Sequence, residues 1–298
     1  MTKCTHNYGP SGGGHMPDCE LFKKPARICI VIPMYGKPEL TRRCVDLCGQ
    51  NAGIEHDIIV VDDGSPEPMG EVELKTYGGN MTQNAQVLRL EENSGFTAAT
   101  NAGILWCSDR YDYIHLMNND TEPKEDFLKI LYDVLEKEEG IGIAGSSRIV
   151  DHDGKQVYEL VAVDLVSGFH SYVDEEGFKK LPELIHTHWF PLCSALIRHE
   201  LIREIGLLDK RMRMWCSDND YCVRANFAGW NTTLVPTSKV YHIHQATTGK
   251  VLGSKVKEDQ DVLMNKIMNV QYAILCDKMP LDSGSRTFGK VDFKVYKK

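Results

Sequence analysis

The apolar run Tyr113–Met117 is followed at once by the polar tripeptide Asn118–Asp120, and a similar arrangement occurs earlier in the chain. There the apolar residues 58–61 lead into the paired carboxylates Asp62 and Asp63. In open α/β sheets, ligands bind outside the carboxyl ends of the strands. The two acidic loops are therefore predicted to converge on one ligand at the edge of such a sheet.

The first half of the chain alternates between short strand-like runs and longer helical stretches, which predicts βαβ units and a mostly parallel sheet. The strands are expected near residues 28–32, 57–61, 86–90, 112–117 and 141–145, and the helices near residues 38–50, 95–108 and 123–138. Farther on, the pattern predicts a hairpin turn at residues 151–154, loops at 161–189, a strand at 238–241 and a helix at 259–276.

The tripeptide Asn118–Asp120 supplies oxygen ligands of the kind that suit Mg²⁺ or Mn²⁺. Proteins usually hold such ions through one or two carboxylates, while substrate phosphates complete the shell. A turn is the simpler explanation of the tripeptide taken alone, because Asn and Asp favour turns. The second acidic loop is what favours a metal and diphosphate site.

A polar loop at residues 91–95 leads into a stretch of small residues that ends near Ile104. The start of a helix there would offer N–H groups and the positive end of the helix dipole to a phosphate. Tight packing of this helix against a sheet would also select alanine and glycine, and neither explanation excludes the other.

These segments follow the order found in one enzyme family. The chain from Ile28 to about His244 resembles the inverting GT-A glycosyltransferases of family 2, in particular their rhamnosyltransferase-like branch. The resemblance implies an α/β, Rossmann-like GT-A fold with a mostly parallel sheet and with nucleotide-binding and acceptor-binding halves. The segments that carry it are Val31–Pro33, Val61–Ser65, Asn93–Gly103, Leu116–Asp120, Ser217–Arg224 and Val240–His242.

The resemblance also implies roles for residues on the donor side. Asp63 would hydrogen-bond the base of a nucleoside diphosphate sugar. A UDP- or dTDP-sugar is favoured because a carboxylate can pair with the imide edge of uracil or thymine. The other donor-binding residues would be Pro33, Tyr35, Asn93, Gly95, Asn101, Asn118 and Asn119.

The same resemblance implies a metal ion held by Asp120 and His242. An imidazole ligand beside oxygen ligands favours Mn²⁺ over Mg²⁺. Asn118 stands where the family usually has the first carboxylate of its metal motif, so its part as a direct ligand is less secure. His244 lies two residues beyond His242 on the same side of a strand, and it is the alternative ligand.

Asp218 would be the catalytic base. In an inverting transfer the acceptor hydroxyl loses a proton as it attacks the anomeric carbon, and a carboxylate within hydrogen-bond reach can take that proton. Ser217 stands where the family usually has glutamate, which puts one acceptor contact in doubt. The alternative is structural: Ser217 or Asp218 would cap the helix that carries residues 221–227.

Residues 1–24 differ in composition from the rest and contain Cys4, His6, His15 and Cys19. Two cysteines and two histidines can form a tetrahedral Zn²⁺ site. Because their spacing matches no zinc module that we can name, a disordered extension or a cloning remnant is the alternative. The glycosyltransferase domain is expected at residues 25–250, followed by a C-terminal helical segment and tail at 251–298.

The chain carries 34 Lys and Arg against 42 Asp and Glu, a net charge of −8. Bulk nucleic-acid binding is not expected, because it depends on phosphate neutralisation by Lys and Arg. With no bilayer-length apolar stretch and no signal-peptide pattern, a cytoplasmic protein is expected. Small buried thiols are expected in the apolar segments, at Cys29, Cys44, Cys48, Cys107, Cys193 and Cys222.

The first strand is not followed by the Gly-x-Gly-x-x-Gly of a nicotinamide dehydrogenase, and the chain contains no P-loop. The expected function is metal-dependent transfer of a hexosyl or deoxyhexosyl group from a nucleoside diphosphate sugar to a hydroxyl of a glycan or another acceptor. Two alternatives stay open. One is a decayed transferase that binds a sugar nucleotide or a glycan, and the other is a transferase acting on a modified nucleic-acid base.

Overall fold

The strand that begins the fold is buried along its whole length. In the computed structural model, which describes residues 26–70, 82–152, 154–163, 168–243 and 257–263, this strand is Ile28–Met34. It pairs in parallel with a strand on each side. A parallel strand covered on both faces needs a continuous apolar run rather than an alternating one, which explains the sequence of this segment.

The elements follow in a βα order in the first half and become richer in strands in the second. The strands are β1 (Ile28–Met34), β2 (His56–Asp62), β3 (Thr82–Arg89), β4 (Tyr113–Met117), β5 (Thr121–Pro123), β6 (Ile141–His152), β7 (Lys155–Val163), β8 (Gly168–Val173), β9 (Ile185–Thr187), β10 (Ser194–Arg198) and β11 (Asn231–His242). The helices are α1 (Pro38–Asn51), α2 (Phe96–Cys107), α3 (Phe127–Lys137), α4 (Glu175–Phe178), α5 (His199–Ile205) and α6 (Ser217–Phe227).

One large sheet organises these elements, in the order β3-β2-β1-β4-β10-β6-β11-β5. The pairs β3–β2, β2–β1, β1–β4 and β6–β11 are parallel, whereas β10 runs antiparallel between β4 and β6. The mostly parallel α/β fold is thus confirmed. Because β10 reverses direction between two strands that both oppose it, the carboxyl ends of β1, β2, β4 and β11 lie on the same edge of the sheet.

Helices cover both faces of the sheet and bury its side chains in two layers. On one face α1 and α3 pack through residues such as Cys44, Val45 and Leu131. On the other face α2, α5 and α6 pack through residues such as Ile104 and Leu201. The cysteines predicted as small buried thiols are all buried, as expected: Cys29, Cys44, Cys48, Cys107, Cys193 and Cys222.

The structure confirms the predicted hairpin at 151–154, since His152 pairs with Lys155 in an antiparallel β6–β7 ladder. The loops predicted at residues 161–189 are wrong. The described part of this stretch continues β7 and forms β8, α4 and β9, and α4 packs on β7 through stacking of Phe178 on Tyr158. The helix predicted to start at residue 123 starts four residues later, because residues 121–123 pair with β11 as β5.

Some predictions fall on residues outside the described ranges. These include the predicted Zn²⁺ ligands Cys4, His6, His15 and Cys19, the alternative metal ligand His244, and residues 264–276 of the helix predicted at 259–276. The described residues 257–263 are helical. Across the described ranges, no helix is both long enough and apolar enough to cross a lipid bilayer.

Candidate active site

The loops that follow β1 and β2 are joined at the sheet edge. Pro33 pairs with Val61 near the ends of the two strands, and the amide of Gly36 donates a hydrogen bond to Ser65 Oγ at 2.8 Å. Between these contacts the side chain of Tyr35 is 45% exposed. A large aromatic ring is therefore presented on a loop whose backbone is held in place.

Asp63 ties the end of β2 to the loop before α2. Its amide donates to Met34 O at 2.9 Å, and its two carboxylate oxygens accept from the amides of Ser94 and Gly95 at 2.7 and 2.8 Å. The side chain is 3% exposed. A carboxylate offers about four acceptor positions, so Asp63 keeps acceptor capacity beyond these two bonds.

The neighbouring Asp62 has a structural task. Its carboxylate accepts from the amide of Ser65 at 2.9 Å and from the guanidinium of Arg89. Both contacts lie within the β2–β3 region. Of the two paired aspartates, Asp63 is therefore the one that faces the loop where a nucleotide was predicted.

Asn93, Gly95 and Asn101 all contact the segment that precedes α6. The guanidinium of Arg213 donates to the backbone oxygen and to Oδ1 of Asn93, at 2.6 and 2.8 Å. Gly95 has φ of 95°, and a Cβ there would lie 2.3 Å from Arg213 Cγ. The amide group of Asn101 is bound on both sides to the backbone of Leu208. Donor binding by Asn101 stays a prediction, because both its polar atoms already have partners.

Asp120 and His242 lie side by side although they are far apart in sequence. The distance from His242 Nε2 to Asp120 Oδ1 is 3.2 Å, and the two side chains are 10% and 8% exposed. The backbone fixes this approach, because His242 is in register with Thr121 and the amide of Ile243 donates to Asp120 O at 2.9 Å. The proposed ligand pair is thus assembled by the β5–β11 ladder.

The side chains of Asp120 and His242 are suitable ligands for the predicted Mg²⁺ or Mn²⁺ ion. Mg²⁺ and Mn²⁺ are usually held by one or two protein ligands while substrate phosphates complete the shell, and an imidazole is an acceptable Mn²⁺ ligand. Among the described residues, no group of three or more His, Cys, Asp or Glu side chains is arranged to hold a metal ion. Asp120 and His242 therefore supply two protein ligands for such an ion.

The two asparagines before Asp120 support the turn. Asn119 is buried, and its amide nitrogen donates to Thr41 Oγ1 on α1 at 3.0 Å. The amide of Asn118 donates to Cys193 O at 2.9 Å, while its side chain is half-buried. Both residues lie at the site, and Asn119 has its amide nitrogen committed to the protein.

Asp218 is the second residue of α6. The N-cap residue is Cys216, which has a left-handed backbone (φ 65°) and whose side chain makes no capping hydrogen bond. The hydroxyl of Ser217 instead pairs with Thr97 Oγ1 on α2 at 2.9 Å. Neither Ser217 nor Asp218 is therefore the N-cap residue, although the Asp218 carboxylate accepts a hydrogen bond from the first-turn amide of Asn219 at 2.9 Å.

The surroundings of Asp218 suit a proton acceptor. Burial raises the pKa of the half-buried Asp218 carboxyl, while hydrogen bonds from backbone amides, including those of Asn219 and Leu192, and the charge of Arg148 act in the opposite direction. A general base works best when its pKa approaches the pH at which the enzyme operates. A raised carboxyl pKa moves Asp218 towards that condition.

Asp220 has a different environment. It is fully buried and accepts from Arg224 Nε at 2.9 Å, and the same guanidinium donates to the backbone oxygens of Ile205 and Leu207. This ion pair fastens α6 to the end of α5. Of the two aspartates in the motif, Asp218 is the one left for chemistry.

A short segment, Leu192–Cys193, connects the metal side of the site with Asp218. Cys193 O accepts the amide of Asn118, while the amide of Leu192 donates to Asp218. Burial raises the pKa of the Cys193 thiol to about 12, and the negative charges of Asp120 and Asp218 add to this effect. The segment thus contacts the turn before Asp120 through Cys193 and lies against Asp218 through Leu192.

A buried ion pair between Arg148 and Glu159 was not among the residues predicted from the sequence. Arg148 on β6 lies 3.0 Å from Glu159 on β7, and the two side chains are 8% and 3% exposed. Arg148 is also in register with Val240, two residues before His242. The predicted hairpin at 151–154 was the available signal, because its register sets Arg148 opposite Glu159.

Comparison with known proteins decides the family. A model of Glycosyl transferase family 2 matches residues 29–206, more than half of the chain. The chain belongs to this family. The match includes Asp63 and Asp120 and ends before Asp218 and His242.

Among curated relatives, this family 2 member is similar to two glycosyltransferases of Streptococcus pneumoniae serotype 4. It is 24% identical to GlyA over 61% of this chain and 26% of GlyA. It is 28% identical to GlyG over 62% of this chain and 60% of GlyG. The chain thus matches about a quarter of the length of one relative and three fifths of the other.

Solved structures support the fold. GalNAc-T7, crystallised with UDP, GalNAc and Mn²⁺, superposes with a TM-score of 0.54 at 16% identity, covering 74% of this chain and 44% of that one. Residues 1–349 of S. aureus TarS in complex with UDP give 0.50 at 13% identity, covering 72% and 60%. At this level of identity the likeness shows the GT-A fold alone.

Proposed function

We propose that this glycosyltransferase moves a sugar from a nucleoside diphosphate sugar to an acceptor hydroxyl, with inversion at the anomeric carbon and with a divalent metal ion. The observation that carries the proposal is that Asp120 and His242 lie side by side and that the segment Leu192–Cys193 connects their turn with Asp218. One side of this arrangement suits a diphosphate. The other side suits a hydroxyl group that must lose a proton.

On the donor side, Asp63 would recognise the base. Its carboxylate is fixed by two amide donors and keeps acceptor capacity for the imide N–H of uracil or thymine. The exposed ring of Tyr35 lies on the adjoining loop, where it can cover one face of the base. UDP is present in the solved structures of GalNAc-T7 and TarS, which also favours a uridine donor.

Asp120 and His242 would hold the metal ion. Their separation of 3.2 Å and their shared burial support this assignment, and the imidazole favours Mn²⁺ over Mg²⁺. When bound, the ion would neutralise charge on the diphosphate leaving group. The residues themselves hold the end of β11 against the turn after β4, which keeps the two ligands together before substrate arrives.

Asp218 would take the proton of the acceptor hydroxyl as that oxygen attacks the anomeric carbon. The bond to the sugar forms on the face opposite the nucleotide, so an α-linked donor gives a β-linked product. Trp215, which is 37% exposed and three residues before Asp218, offers an apolar ring face that suits a glycan acceptor. The transferred group would be a hexosyl or deoxyhexosyl unit.

A donor screen tests the proposal. Thermal unfolding is followed with UDP-, dTDP- and GDP-sugars, each with Mn²⁺ and again with excess EDTA. A ligand at a hundredfold excess over its dissociation constant stabilises a protein by about 2.7 kcal/mol, which a melting curve detects. We expect stabilisation by a UDP- or dTDP-sugar in Mn²⁺ and its loss in EDTA.

The same screen separates the alternatives. If no sugar nucleotide stabilises the protein, the proposed donor is wrong. Stabilisation without transfer to any acceptor of a glycan panel would indicate a decayed, binding-only protein. Where transfer is found, proton NMR of the product gives the anomeric configuration, and a retained anomer would contradict the inverting mechanism.

A further inference from the structure

The carboxylate of Asp259 is bound by three consecutive backbone amides of a distant loop. Its Oδ1 accepts from the amide of Arg213 at 2.9 Å, and its Oδ2 accepts from the amides of Met214 and Trp215, both at 2.8 Å. Asp259 is 4% exposed and lies in the helical segment 257–263. A buried carboxylate with three charge-assisted hydrogen bonds holds its partners strongly.

The loop at residues 213–215, which Asp259 binds, also contacts the donor side of the proposed site. The amide of Thr97 donates to Arg213 O at 3.1 Å, and Thr97 Oγ1 donates to Met212 O at 2.6 Å. The side chain of Arg213 binds Asn93, in the loop whose next two amides are held by Asp63. The loop at residues 212–215 is therefore hydrogen-bonded directly to the β3–α2 connection and to the start of α2.

The same loop also leads into the residue that would act as base. After Trp215, the chain turns through Cys216 in a left-handed conformation and enters α6, whose second residue is Asp218. Burial raises the pKa of the Cys216 thiol to about 12, with added effects from the charges of Asp218 and Asp259. The backbone of residues 213–216 thus sets where α6 starts and where Asp218 lies.

We propose that Asp259 is a positioning residue for sugar transfer: by holding the amides of residues 213–215, it fixes the loop that joins the donor-side connection to Asp218. The inference rests on the proposed function of Asp218. Asp259 touches the loop backbone, and it acts through that backbone on the placement of the base.

The test uses Asp259→Asn in the full chain, because an amide side chain keeps the shape but presents an N–H₂ group to one of the three amide donors. The matched control is Asp261→Asn, an exposed carboxylate on the same helical segment. We expect kcat of Asp259→Asn to fall by about 10- to 100-fold, since misplacing a catalytic group by about 1 Å can cost 10²-fold. Donor affinity should change by less than about threefold, and Asp261→Asn should match the wild type in both.

Hydrogen exchange supplies a readout that does not depend on catalysis. The amides of Arg213, Met214 and Trp215 should exchange slowly in the wild type and in Asp261→Asn, and faster in Asp259→Asn. Unchanged exchange at these amides, or an unchanged kcat in a folded Asp259→Asn protein, overturns the inference.

If Asp259→Asn does not fold, Asp259→Glu carries the test. It keeps the charge on a longer side chain. We expect both the protection of the three amides and the kcat of Asp259→Glu to be lower than in the wild type. A folded Asp259→Glu protein with wild-type kcat but unprotected amides would contradict the positioning role. Failure of the proposed function looks different: the wild type then shows no transfer, whereas hydrogen exchange still reports whether Asp259 holds the loop.

Discussion

The donor half and the acceptor half of the site are built in different ways. On the donor side, the critical residues follow directly after strands, and adjacent loops hold one another, as Asp63 does with Met34 and with the amides of Ser94 and Gly95. On the acceptor side, no strand leads into Asp218. The loop before it is held by Asp259, from a part of the chain more than forty residues away.

This difference teaches that one half of the site is positioned by the sheet and the other half by individual side chains. A parallel sheet places the carboxyl ends of its strands at one edge, whichever residues follow them. A loop without a strand depends on particular hydrogen bonds instead. The family match does not follow this division, because it covers residues 29–206 and ends before both Asp218 and His242.

The largest effect is expected from Asp120→Ala, which removes one ligand of the proposed metal pair. Transfer should fall by about 10³-fold or more, because a bound ion supplies several kcal/mol of charge stabilisation to the departing diphosphate. Excess EDTA should have a similar effect on the wild type. Full turnover of Asp120→Ala, with the exposed Asp133→Ala as control, would show that the donor half works without this ligand.

Asp63→Ala should weaken the donor half in two ways. A lost hydrogen bond from a charged acceptor costs roughly 1.5–3 kcal/mol, so nucleotide affinity should drop by about 10- to 150-fold. Because the carboxylate also holds the amides of Ser94 and Gly95, the free protein should unfold at a lower temperature. Calorimetric titration with UDP and a melting curve measure the two effects, and an unchanged affinity would show that the carboxylate does not meet the base.

Gly95→Ala sharpens the comparison at the junction of the two halves. A Cβ at this position would lie 2.3 Å from Arg213 Cγ, in addition to the strain of a positive φ, which costs about 1–3 kcal/mol. The matched control is Gly206→Ala, where φ is also positive but nothing lies within 4 Å of the added carbon. Gly95→Ala should be less stable than Gly206→Ala in urea unfolding. Equal stability of the two variants would mean that the loop of Gly95 and the loop of Arg213 are not in tight contact.

A smaller effect concerns the charge of Asp218. Burial raises the pKa of this carboxyl in the folded protein above its value in the unfolded chain. Ionisation of Asp218 therefore lowers the free energy of unfolding. The loss is complete at a pH above the folded-state pKa, and it is absent at a pH below the unfolded-state pKa. Asp218→Asn should therefore melt slightly higher than the wild type at neutral pH, and the gap should close on acidification. The kcat/KM of the wild type should fall on the acid side at a pH above the ordinary carboxyl pKa. A gap that widens at low pH would contradict this account.

The donor half could be predicted from sequence to a large extent. The apolar runs ending in Asp63 and Asp120 located two strand ends, and the parallel sheet rule brought them to one edge. The pairing of His242 with Asp120 was implied by the family resemblance, and the β5–β11 ladder does bring the two side chains to 3.2 Å. These inferences succeed because strand periodicity is local and the edge of a parallel sheet is common to all its strands.

The contacts of the acceptor half could not be predicted in this way. Nothing in the residues around Asp259 indicates that it binds the amides of residues 213–215, because backbone amides carry no sequence signal. The same holds for the contact between Asn101 and the backbone of Leu208, which no residue pattern indicated. Such contacts depend on how distant segments pack, which no local pattern encodes.

The central claim is that Asp218 serves the acceptor half without serving the donor half. Measuring donor affinity and transfer rate together in Asp218→Asn tests it most directly, because asparagine keeps the shape and cannot take the proton. The account predicts donor affinity within about threefold of the wild type and transfer reduced by roughly 10²–10⁴-fold. Undiminished transfer, or loss of donor binding together with transfer, would contradict it.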